Sequence, residues 1–156
     1  MLMSHLNKLR QLSWNDRWLL ILSLLLLPFI HAALIVMGYS PLRKLLERLT
    51  SSKTTDKPVL ETDNIRRAQH IAGIVSIAAR RGLYKATCLR RSLLVWWFLR
   101  REGIPAHIRF GVRMLNGNLE AHAWLEYNGS ILNDSAHVRE RFQTLDRGLP
   151  STSWGL

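Results

Sequence analysis

The chain holds a single cysteine, Cys88, within the stretch KATCLRRSLLVWWFLRREGIPAHIRFGV that runs from Lys85 to Val112. A thiol that attacks carbonyls must be ionised easily, must have a base to take its proton, and needs a third group to hold that base. The start of a helix meets the first need, because the helix dipole favours a thiolate there. Thr87 is an N-cap type of residue, which places Cys88 in the first turn of the apolar segment that follows. His122 is the candidate base, and Asp134 or Asn133 the candidate partner for its far nitrogen. Cys, then His, then Asp or Asn is the thiol form of a catalytic triad. Order alone carries little weight, since six His and eleven acidic residues make some such order nearly inevitable. Placement carries more: Cys at a helix start, His within a strand, acid on the hairpin partner. The competing reading is bland, since a free Cys often serves as a small buried hydrophobe.

The remaining histidines fit less well. His107 lies on an outward strand face and is expected at the surface. His5, His31, His70 and His137 fall in helical or terminal segments, with no acid expected to orient them. No His-x-x-x-His or similar spacing suggests a metal site, and nothing implies a cofactor.

The elements that must position this chemistry follow from periodicity. Thr62 to Arg81 reads as a helix with Ile65, Ala68, Ile71, Ala72, Val75 and Ala79 along one stripe, and Gly82 ends it. The Cys88 helix buries Leu89, Leu93, Trp96 and Trp97, and stops at Gly103 with Pro105 beyond. From Ile104 to Val112 the period changes to two, which predicts a strand. Asn116-Gly117-Asn118 is a turn. Glu120 to Tyr127 alternates again, with Ala121, Ala123, Leu125 and Tyr127 on one face and His122, Trp124 and Glu126 on the other. Asn128-Gly129 signals a tight hairpin, and Ser130 to Asp134 is the returning strand. Helices followed by an antiparallel meander make the class α+β.

Hairpin arithmetic leaves the third catalytic position open. A two-residue loop at Asn128-Gly129 pairs Trp124 with Asn133 and Ala123 with Asp134. Ideal register therefore puts Asn133 on the His122 face and turns Asp134 away. A bulge, or a strand that ends before residue 134, turns Asp134 back. Asp134 is the expected partner, because a carboxylate stabilises imidazolium better than an amide; Asn133 is the alternative.

The first sixty residues differ in kind. Trp18 to Met37, WLLILSLLLLPFIHAALIVM, carries no formal charge and is long enough to span a bilayer. Pro28, Ser23 and His31 interrupt it, and basic residues flank both ends, so the positive-inside bias is nearly silent. Three readings stand: two helices broken near Pro28 and packed on the rest, membrane association through residues 18–37, or a cleaved signal peptide. Ser40-Pro41 marks a further helix start, with Leu42, Leu45, Leu46 and Leu49 at helical spacing. TSSKTTDKP, from Thr50 to Pro58, reads as a linker. The expected division is an apolar helical segment and linker over residues 1–60 and a catalytic domain over 61–156.

Composition sets outer limits. One Cys excludes an internal disulfide framework and a Cys-rich zinc site. It fits a reducing, cytoplasmic setting. Lys and Arg number 22 against 11 acidic residues, a net charge of +11 that favours acidic partners. The arginine pairs at residues 66–67, 80–81, 90–91 and 100–101 sit in no nucleic-acid motif, so no nucleic-acid partner is expected.

Taken in order, TCLRRSLLVWWFLRREGIPAHIRFGV and then EAHAWLEYNG resemble the transglutaminase-like cysteine proteases of lasso peptide biosynthesis, above all their stand-alone form. The likeness covers about residues 64 to 134. It implies a papain-like, transglutaminase-type core in which a central Cys-bearing helix packs on an antiparallel sheet, with the N-terminal apolar helices added. It implies removal of a leader peptide from a ribosomally made precursor. Cys88 then matches the family nucleophile, His122 the base and Asp134 the third member. The implied partners are the precursor, a separate small leader-binding protein and an ATP-dependent macrocyclase. Amide transfer on the same thioester is the alternative enzymatic reading, and a non-catalytic, basic, membrane-associated scaffold is the alternative from another class.

Overall fold

The computed structural model describes residues 13–50, 61–82 and 86–145. The proposed linker lies almost wholly outside them. Helix α1 spans Trp14–Met37, and Ser13 caps it by accepting from the Asp16 amide at 3.2 Å. It does not break at Pro28. The proline removes one helical donor, but Leu27 and Ile30 beside it are buried in the core, and that packing holds the helix straight through. Gly38, at φ 77°, turns the chain into α2, Tyr39–Arg48, which starts slightly before the expected Ser40. Helix α3 spans Glu61–Arg81, and α4 spans Cys88–Arg101.

These helices share one core. Leu27 and Ile30 of α1 and Leu42 and Leu46 of α2 join Ile71 and Val75 of α3 and Leu93, Val95 and Leu99 of α4. Leu93 and Leu99 are fully buried, so truncating either to Ala would cost about 2–5 kcal/mol. Gly103, at φ 79°, ends α4, and the Ile104 amide reaches back to the Leu99 carbonyl at 2.9 Å.

Among the described residues the sheet has four strands, in the order β3-β2-β1-β4. Strand β1, His107–Leu115, pairs antiparallel with β2, Asn118–Tyr127. Pro105 has no N–H to give, so the ladder begins at His107 rather than at Ile104. Both turns are Asn-Gly pairs with positive φ at each residue: Asn116 and Gly117 at 50° and 78°, Asn128 and Gly129 at 45° and 78°. Strand β3 is only Ser130–Ile131. Short helix α5, Val138–Arg141, and strand β4, Gln143–Thr144, complete the described chain; β4 pairs with β1 at Gly111 and Val112. Neither α5 nor β4 was legible from periodicity.

The sheet is covered on both faces. Helix α4 packs on the side of Leu125 and Tyr127. On the other side Trp124, Val138 and Phe142 form a second small core. The architecture is α+β, helices against an antiparallel curled sheet.

Candidate active site

The site starts where β3 stops. Beyond Ile131 the edge of β2 would lose its ladder partners, and a buried backbone group without a partner is costly. Four bonds replace the ladder. The Leu132 amide donates to the Leu125 carbonyl at 3.0 Å, and the Leu125 amide donates to Asn133 Oδ1 at 2.8 Å. Asn133 Nδ2 donates to Ser92 Oγ at 2.8 Å, and Ser92 Oγ donates to the Ala123 carbonyl at 3.0 Å. A side-chain amide thus stands in for a strand, and a serine of α4 closes the edge.

With Asn133 held inward, the chain turns at Asp134. Its Oδ2 lies 2.6 Å from His122 Nε2. The Ser135 amide bonds Oδ1 at 2.7 Å. Burial works against ionisation of this carboxyl, but the His122 bond, the Ser135 amide and the charges of His122 and Arg141 outweigh it and hold the carboxyl below its ordinary value of 3.8. An ionised Asp134 accepts, so Nε2 of His122 carries a proton. In the neutral ring Nδ1 is then the basic nitrogen.

The imidazole is clamped by rings. It stacks on Phe142 with centroids 4.8 Å apart, and on Trp124 at 6.2 Å. Opposite His122 in the ladder stands Gly111. A Cβ there would meet the Trp124 ring at 2.8 Å and Phe142 Cβ at 2.9 Å. Only glycine lets both rings close around the histidine. Glu126, buried next to them, takes bonds from Trp124 Nε1 at 2.8 Å, Arg139 at 2.9 Å and Arg109 at 3.2 Å. Burial opposes its ionisation too, yet these donors hold its carboxyl below the ordinary 4.5. The indole is therefore pinned by a bond as well as by packing.

Cys88 is the first residue of α4 and is half-buried. Residues four apart share a helix face, so Cys88 lies one turn before Ser92, whose hydroxyl holds the backbone next to His122. Thr87 takes the N-cap position, with φ −66° and ψ 164°, but its hydroxyl makes no cap bond. The first-turn amides of α4 therefore donate no bond to the Thr87 side chain.

Of the other histidines, His5 lies outside the described residues. His107 is exposed, as expected. His70 and His137 do have acidic partners, contrary to the reading from sequence: His70 Nε2 lies 2.8 Å from Asp16 Oδ1, and His137 Nδ1 lies 3.2 Å from Glu140 Oε1. The first pair joins α1 to α3 across a distance in sequence that no local pattern reveals, and the second spans one turn at α5. No thiol accompanies either. Among the described residues no three His, Cys, Asp or Glu side chains gather as a metal site. Ser92, Gly111 and Phe142 were not singled out from sequence. A glycine inside a strand is a signal of close approach, and Gly111 was open to that reading.

A helix opening on cysteine, packed on an antiparallel sheet that carries a His–Asp pair, is an arrangement suited to acyl transfer through a thiol. Over residues 30–147 the chain matches the model of the Transglutaminase-like superfamily, and it belongs to that family. The match begins inside α1 and runs past β4. No curated protein and no solved structure matches the chain. The family fold is of the cysteine-protease type and supports chemistry of the protease or acyl-transfer class.

Proposed function

We propose that this chain is a cysteine peptidase that removes the leader from a ribosomally made, lasso-type precursor peptide. Cys88 is the nucleophile, His122 the base and Asp134 the residue that holds it. The single observation that carries the reading is the 2.6 Å contact between His122 and Asp134 on the strand that Ser92 ties to the Cys88 helix.

The chemistry runs in two halves. The thiol gives its proton to His122 Nδ1, and the thiolate adds to the scissile carbonyl. First-turn amides of α4, that of Cys88 among them, donate to the oxygen as it becomes negative. The imidazolium, stabilised by Asp134, returns the proton to the departing amine of the core peptide. The leader remains as a thioester on Cys88. Water, activated by the same imidazole, then adds to the thioester carbonyl, and collapse frees the leader acid and the thiol. In the peptidase reading water is the acceptor; an amine in its place would make the enzyme a transferase.

The lasso assignment rests on the ordered likeness of residues 64 to 134, and the partners follow from it: a small leader-binding protein that delivers the precursor, and a macrocyclase that uses ATP to close the ring. The test is reconstitution. Purified chain, a lasso-type precursor and the leader-binding protein should give two fragments, resolved by mass, that meet at the leader–core junction. Transfer of the leader to an added amine in preference to water would replace peptidase with transferase. Absence of either product under conditions where the chain is folded would overturn the enzymatic reading.

A further inference from the structure

Helix α1 is apolar on two faces, and the core uses only one. Ser23, Leu27 and Ile30 are buried. On the far side Trp14, Trp18, Ile21, Leu25, Phe29 and Val36 are exposed, Phe29 to 70% and Val36 to 82%. At 100° per residue these six fall within about 80° of arc, so they form one uncharged stripe about 33 Å long. Apolar stripes of this size on a soluble surface mark a contact with something else.

The flanks of the stripe say what that is. On one side Trp18 and Leu22 border a cleft of about 360 Å³ that also contains Arg67 and Arg101. On the other side Leu24 and Pro28 border a cleft of about 210 Å³ that contains Arg81 and Arg90. Arg67 is paired with Glu102 at 2.7 Å. Arg81, Arg90 and Arg101 make no ion pair among the described residues. An apolar band between two guanidinium-bearing clefts is complementary to acyl chains beneath a layer of phosphates.

By length and composition α1 could cross a membrane. Its packing argues against that. Its inner face packs on α3 and α4, helices that also carry His70, Arg67 and Arg101, and a spanning α1 would draw these charged neighbours toward hydrocarbon. We propose that α1 lies flat on a bilayer containing anionic phospholipid, its outer stripe among the acyl chains and the flanking arginines on lipid phosphates. This goes beyond the peptidase reading and stands independently of it, since it concerns neither Cys88 nor His122. It would keep the enzyme at the membrane surface.

Flotation of the full purified chain with phosphatidylcholine vesicles, with and without phosphatidylglycerol, tests this. Binding should favour the anionic vesicles, weaken with salt and be released by alkaline carbonate. Phe29→Glu should weaken it roughly tenfold or more, because a buried Phe contributes about 1.5–3 kcal/mol. Arg81→Ala with Arg90→Ala should lower the preference for anionic lipid. Should Phe29→Glu lose its circular-dichroism signal, quenching of the native tryptophans by brominated lipid gives the answer without a variant. No flotation and no quenching would overturn the proposal. Retention after carbonate would overturn it in favour of a spanning helix. A concentration-dependent doubling of mass that Phe29→Glu abolishes would assign the stripe to a second copy of the chain instead.

Discussion

Asn133 Nδ2 donates to Ser92 Oγ at 2.8 Å, and this bond sets which way the next residue faces. With its amide committed to Ser92 and to the Leu125 backbone, Asn133 cannot reach His122, and the chain presents Asp134 there instead. Two adjacent residues thus divide the work: one closes the edge of β2, the other pairs with the imidazole.

The two should separate in mutants. Asp134→Ala should lower kcat for precursor cleavage by roughly 10²–10⁴, by analogy with other triads, with a smaller loss of stability than Asn133→Ala. Asn133→Ala should do the reverse. It strands the buried Leu125 amide and removes a bond from Ser92, a loss of about 1–3 kcal/mol in stability, with a smaller effect on kcat. Paired kinetic and thermal-melt measurements read both. A reversed ranking in folded variants would give the orienting role to Asn133.

Gly111 makes a second prediction. Gly111→Ala places a methyl against the Trp124 ring and Phe142, both of them buried. A cost of about 1–3 kcal/mol follows from overpacking. Because the same two rings stack on His122, kcat should fall as well. Wild-type melting and activity in this variant would show that the rings do not hold the histidine.

How far these contacts could be foreseen depends on their range. The Cys88 helix, both long strands and the Asn-Gly turns follow from local chemistry, and all are present. The register of the β2–β3 hairpin is also local. It pointed to Asn133 because it assumed that the strand runs to residue 134. The strand ends at Ile131 because Ser92, some forty residues away in sequence, takes over the edge; that is tertiary information. Pro28 misled in the same way, since burial of Leu27 and Ile30 outweighs one missing donor. Phe142 belongs to a segment too short for any period, and only the folded chain brings it to His122.

Acid should destabilise the protein through carboxylates that the fold holds ionised, Asp16, Glu126 and Asp134 among the described residues. All three titrate below their ordinary values in the folded state. The unfolded chain therefore takes up protons first. The stability these groups contribute is complete above about pH 4.5, the ordinary value for Glu, and is lost as pH falls through the lower folded values. Urea midpoints between pH 6 and about 3 should fall steeply in the wild type. Glu126→Gln should flatten that slope, and an unchanged slope would remove Glu126 from the account.

A leader-binding protein should act on KM. The chain alone should process precursor poorly, and the partner should lower the apparent KM with kcat little changed. Equal efficiency without the partner would mean that this chain recognises the leader itself.

The most direct test is the thioester on Cys88. Precursor mixed with enzyme and quenched rapidly in acid should yield a species heavier than the chain by the leader acyl group, and fragmentation should place the added mass on Cys88. Cys88→Ala should show neither the adduct nor cleavage while keeping its fold. Cleavage by folded Cys88→Ala at the wild-type rate would contradict the account.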